Sequence, residues 1–254
     1  MSELLWQEFY KTRHQRSFYL APLLLFVLML LVAIITVRDS DPAFYIVAGF
    51  AGFQWATIFL IVIVANSFSM DFEYGTIKYQ LVKFSRWKIF FSKLLVCTVY
   101  DLYLHGLVFL FTVGIKWGIY QGKYPWTANY LGQQSLFTNF VAGIGLDSAS
   151  SFIFVAITIL LACWAKTSAV AISTGIAECF VGEGISNMLI KNGGHFSLIT
   201  RWNPFNMLNI TNQWANPGYA KVTLLSIGQL AGGTACYIVL FLLLAAILFG
   251  RKRV

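Results

Sequence analysis

Charge is scarce in these 254 residues: Asp, Glu, Lys and Arg together make up 11 %, where a soluble domain carries about 25 %. A chain so poor in charge and 58 % hydrophobic, with a mean hydropathy of +0.71, is not built as a water-solvated globule. Histidine is sparse and scattered, at His14, His105 and His195. The four cysteines, Cys97, Cys163, Cys179 and Cys236, lie in apolar stretches without metal-ligand spacing, so free buried thiols are expected and no metal centre. The sequence lacks Gly-x-x-x-x-Gly-Lys-Ser/Thr, Gly-x-Ser-x-Gly and His-Glu-x-x-His. Phosphate cradling by a P-loop is thereby excluded, and no catalytic role is expected of this chain alone.

What is present arrives in long apolar blocks. Phe18–Val37 holds twenty residues without a charge, enough to cross about 30 Å of hydrocarbon. A cleaved signal peptide would have a shorter apolar region and a small-residue cleavage site. This block instead runs into Arg38-Asp39-Ser40-Asp41-Pro42, so a retained span is expected. Five further spans are expected near 45–68, 94–115, 148–165, 167–190 and 222–249, the last long enough to tilt or to begin as a re-entrant segment. The predicted fold is all-α: six transmembrane helices in a single transmembrane domain over 1–254.

With six spans both termini share a side, and that side carries twelve of the eighteen Lys and Arg residues. By the positive-inside rule it is the cytoplasmic one. The net charge of +8 is then mainly a topology signal, and nucleic acid is not an expected partner; the lipid bilayer is. Residues 1–17 suit an amphipathic helix lying in the inner leaflet, with Leu5, Trp6 and Phe9 on one face and Glu3, Gln7, Lys11 and His14 opposite. The outer loops, 116–147 and 191–221, are rich in interfacial aromatics such as Trp117, Trp126, Phe137, Phe140, Trp202 and Trp214.

Polar groups at membrane depth are costly and mark function or packing. Asp101 and His105, four apart, share a helix face and are expected to pair. Glu178 and Glu183 fall about 140° apart at 100° per residue and are not expected to share one. Asp147, at the outer end of the fourth span, reads as interfacial. Gly228 and Gly232 in the last span permit close approach of another helix.

The most informative stretch lies between spans two and three: Ser69-Met70-Asp71-Phe72-Glu73-Tyr74-Gly75-Thr76-Ile77, then Arg86, then Lys93. On its own it reads as a stiff helical hairpin offering carboxylates and aromatics to the cytoplasm. The pattern acidic-x-Glu-x-Gly-Thr-Ile followed by Arg86 and Lys93 resembles the loop after the second span in ABC type 2 permeases, with Asp71 where Glu is also common. The six spans, the amphipathic N-terminal helix, the short turn at Lys166 and the basic C-terminus resemble the same family. That resemblance implies a coupling helix docking on an ATPase subunit, with Asp71, Glu73, Gly75 and Thr76 in the coupling segment and Arg86 and Lys93 leading into span three. It implies no cofactor on this chain, ATP and Mg on two copies of a separate ATP-binding subunit, and a second permease copy or a related permease.

In size and aromatic content the chain is similar to lantibiotic-immunity and peptide-exporter permeases, which implies antimicrobial or amphipathic peptides as cargo. Multidrug, lipid or polysaccharide export is the alternative within the family. An ion-coupled carrier or channel using Asp101, His105, Glu178 and Glu183 is the alternative outside it.

Overall fold

The computed structural model describes residues 2–39, 41–130, 134–165, 167–193 and 197–251. It is 85 % helical, with no strand among the described residues. Six helices are long and apolar enough to cross a membrane: α2 (Arg16–Thr36), α4 (Gly52–Glu73), α6 (Arg86–Tyr120), α7 (Leu136–Ala165), α8 (Ser168–Asn192) and α13 (Ile227–Arg251). The short helices gather at the two ends. At the end that carries both termini lie α1 (Ser2–Arg13) and α5 (Ile77–Lys83). At the opposite end lie α3 (Pro42–Val47), α9 (Ser197–Thr200), α10 (Pro204–Met207), α11 (Ile210–Ala215) and α12 (Ala220–Thr223).

Helix α4 is the axis of the bundle, packing against α2, α6, α7 and α8. Its apolar stretch is 61 % buried, against 22 % for α2 and 17 % for α8. The outer helices therefore keep wide apolar faces uncovered: Leu23, Leu31 and Ile35 on α2, and Val239, Leu243 and Ile247 on α13. Faces of that size suit acyl chains or another membrane helix rather than water.

The third span, expected at 94–115, is longer at both ends, running Arg86–Tyr120; three other boundaries depart from the hydropathy expectation, each because a polar or strained feature overrides composition. The second span does not run unbroken from residue 45. Asp41 accepts a hydrogen bond from the Phe44 amide at 3.3 Å and starts α3 behind Pro42. Then Gly49, Phe50 and Ala51 all take left-handed φ values of 58°, 50° and 60°, a turn that strains the two non-glycine residues. It is held because Phe50 is fully buried and stacks on Tyr120 at 6.0 Å.

The fourth span begins at Leu136, not near 148. The Ser135 hydroxyl accepts from the Thr138 amide at 3.1 Å, and Asp147 sits eleven residues inside the helix. Phe140 is accordingly core, stacked with Trp126 and Phe109 at 5.7 and 5.8 Å, rather than interfacial. The last span begins at Ile227, where Ser226 and Gln229 form a reciprocal capping box with bonds of 2.9 and 3.3 Å.

Candidate functional site

At the terminus-bearing end, one side chain organises four elements. Lys93, near the start of α6, is 1 % exposed. Its ammonium donates to Glu8 Oε2 at 2.7 Å, Asp71 Oδ2 at 2.5 Å and the Ser67 carbonyl at 2.8 Å, which uses all three of its protons. Lys11 adds contacts of 3.2 Å to both Glu8 and Asp71, and Gln80 of α5 donates to Glu8. Two carboxylates thus meet two ammonium groups, so the cluster is neutral and its burial is compensated. It joins α1, the end of α4, α5 and the start of α6.

The expected coupling residues divide here. Asp71 and Lys93 face inward. Thr76 Oγ1 donates to Asp71 Oδ1 at 2.7 Å, and Gly75, at φ 68° with open space around it, supplies the left-handed turn between them. Glu73 is exposed yet engaged: its carboxylate accepts from the Ser168 amide at 2.5 Å and from the Ser168 hydroxyl at 3.2 Å. It thereby satisfies the first turn of α8. Arg86 donates to the Phe249 carbonyl of α13 at 3.3 Å. The outward surface is made by residues the sequence pattern did not single out: Tyr74, Tyr79 and Val82, which are 71, 79 and 85 % exposed. Lys166, Lys252 and Arg253 lie outside the described residues.

Glu8 was the residue missed. Leu4, Glu8 and Thr12 form the buried stripe of α1, while Trp6 and Tyr10 are exposed on its other side. A signal was available, since an acid four residues from two core positions beside a membrane-end lysine needs a partner.

At mid-depth Asp101 is fully buried and accepts from Ser148 at 2.5 Å and Ser151 at 3.0 Å. His105 Nδ1 lies 3.1 Å from Asp101 Oδ1, and its Nε2 lies 3.1 Å from Asp147 Oδ2. Asp147 is therefore not interfacial but the third member of a carboxylate–imidazole–carboxylate chain binding α6 to α7. Hydropathy hid it, because a charge in the middle of a helix looks like the end of one.

Beyond Asp147 a cleft of about 330 Å³ opens between α4, α7, α8 and the 208–212 segment. Glu178 and Glu183 both line it, although they fall on different faces of α8. The cleft is wide enough to receive side chains from more than one face of α8. Glu183 also accepts a hydrogen bond from Tyr219. Burial first, and then that carboxylate, push the Tyr219 phenol up to about 12.

Behind the cleft, Asn206 donates to the carbonyls of Arg201 at 2.6 Å and Thr223 at 2.9 Å. Gln213 donates to Leu225 O at 2.9 Å and accepts from Thr223 at 2.6 Å. These amides fold the segment before α13 back into the bundle. Gly228 and Gly232 meet nothing within 4 Å, whereas Gly233 lies against Met207. The close approach within this chain is thus made by the neighbouring glycine.

These features sit in a sequence that matches a family model along residues 40–254, described as Protein of unknown function (DUF2705). The chain belongs to this family. The matched DUF2705 region carries Asp71, Lys93, Asp101, His105, Asp147, Glu178 and Glu183, while Glu8 and Lys11 precede it. No curated protein matches the chain.

Proposed function

We propose that the chain is the permease subunit of an ATP-driven exporter in a bacterial cytoplasmic membrane, with both termini cytoplasmic. It would work beside two copies of a separate ATPase subunit and a second permease copy or a related permease. The observation that carries this is the mounting of α5. A seven-residue helix is fixed between the ends of two spans by a buried ion cluster, yet turns Tyr79 and Val82 outward. Burying such side chains in a groove of another protein is favourable, and Lys78 and Lys83 beside them suit an acidic rim.

A displacement of α5 would pass through Thr76 and Asp71 into α4, and through Gln80, Glu8 and Lys93 into α6. Because α4 lines the mid-depth cleft at its other end, that motion reaches the place where cargo would sit. Helix α1 would lie in the inner leaflet with Trp6 toward lipid, tied to the same unit through Glu8. Antimicrobial or amphipathic peptides are the cargo this reading favours, serving immunity or export; multidrug, lipid or polysaccharide cargo is the alternative.

The test is co-expression with a P-loop ATPase encoded in a neighbouring reading frame. The two should co-purify, and vesicles containing both should transport only with hydrolysable ATP. The Asp101–His105–Asp147 chain favours a second reading, an ion-coupled carrier without an ATPase. Transport that ignores ATP and stops when ion gradients are collapsed would establish it.

A further inference from the structure

The acid-lined cleft calls for its own occupant. Asp147, Glu178 and Glu183 converge on it from two helices, and neither Lys nor Arg lines it among the described residues. Asp147 has His105 behind it, but Glu178 has no such partner: its Oε2 is shut off from solvent without a hydrogen bond. A carboxylate at this depth is costly unless a cation or donor meets it. The terminus-bearing end shows how this chain treats buried carboxylates when structure alone is at stake, matching Glu8 and Asp71 with two lysines. The cleft departs from that pattern.

Its remaining walls fit a cation with an apolar body. Phe53 and Phe154 offer ring surface, and Gln54, Asn212 and Thr211 offer carbonyl and hydroxyl acceptors. A second chamber of about 290 Å³ continues past Phe53, Glu183 and Asn212 to Trp214 and Tyr219. The opening therefore leads from two carboxylates through aromatic surface. The cleft lies in the half of the bundle away from the termini.

We infer that this cleft is a binding site for an organic cation, an ammonium or amidinium-type group joined to an aromatic or aliphatic body. Glu178 and Glu183 take the charge, and Phe53 and Phe154 take the apolar part. That the bound cation is transported cargo rests on the exporter reading; binding itself does not, and is measured on the permease alone. A basic side chain of a peptide and a small free amine share this chemistry, so both are tested.

The probes are benzamidine and its neutral isostere benzamide, titrated into the full chain in nanodiscs of anionic lipid and followed by thermal shift and equilibrium binding. Benzamidine should bind at least about tenfold more tightly than benzamide, the worth of one charge-assisted contact. Glu178→Gln and Glu183→Gln, which keep shape and hydrogen-bonding capacity, should each weaken benzamidine about fivefold to tenfold without affecting benzamide. Glu3→Gln, outside the cleft, should change nothing. A lysine-containing amphipathic peptide that displaces benzamidine, where its norleucine counterpart does not, identifies a peptide source. Displacement by small alkylamines but not by the peptide identifies a free amine. Equal binding of benzamidine and benzamide, or benzamidine affinity unchanged in the Glu178→Gln, Glu183→Gln double variant, overturns the assignment. Neither result bears on whether an ATPase docks at α5.

Discussion

The two ends of the bundle bury polar groups in different ways. At the terminus-bearing end, Lys93, Glu8, Asp71 and Lys11 form a closed set of opposite charges. At the other end, Asn206, Gln213 and Thr223 hold the chain through neutral amides and hydroxyls. The difference teaches where stiffness is needed. Buried ion pairs that draw on α1, α4, α5 and α6 at once fix four elements in one geometry, whereas neutral bonds can be exchanged at smaller cost. On the exporter reading proposed above, a unit that receives a push would suit the first construction, and a segment bordering a cleft that opens would suit the second.

Breaking the charged end should have the largest effect. Lys93→Met leaves the buried Glu8 and Asp71 with the half-exposed Lys11 as their remaining cation, a loss of about 3–5 kcal/mol. Thermal unfolding of the purified protein in detergent should show this as a large fall in midpoint, with α1 released to protease. The amide end should yield less. Asn206→Leu strands two carbonyls and should cost about 1–3 kcal/mol, read in the same unfolding experiment. If Asn206→Leu proves as damaging as Lys93→Met, the contrast between the ends is lost.

Glycine substitutions sharpen the comparison on a finer scale. Gly233→Ala pushes into Met207 and should cost about 1–3 kcal/mol. Gly228→Ala faces open space and should stay within about 0.5 kcal/mol. Glu73→Gln keeps an acceptor for Ser168 but removes the charge at the start of α8, for about 0.3–1 kcal/mol.

Much of this architecture was legible as composition. Six apolar blocks and their separation are visible without any periodicity, because a membrane span is recognised by length and absence of charge. Boundaries were legible in the first and fifth spans, expected at 18–37 and 167–190 and observed at Arg16–Thr36 and Ser168–Asn192, whereas the third, expected from residue 94, begins at Arg86. They were lost at Asp147, where a charge paired with His105 sits inside a helix, and at Gly49–Ala51, where consecutive left-handed residues break an apolar run. The site was half legible. Asp71 and Lys93 stood out by pattern, and Asp101 with His105 by spacing. Their partners Glu8 and Asp147 lie 85 and 42 residues away in the chain, and no local spacing rule reaches that far.

The central claim is that α5, held by the ion cluster, is where an ATPase docks. The direct measurement is ATPase co-purification and transport-stimulated hydrolysis for the Tyr79→Asp, Val82→Asp double variant. Both side chains point away from the bundle, so the fold and membrane insertion should survive while association and stimulated hydrolysis fall at least about tenfold, as expected when apolar anchors at the centre of an interface are replaced by charge. A variant that inserts, binds its ATPase at the wild-type level and still stimulates hydrolysis would contradict the account.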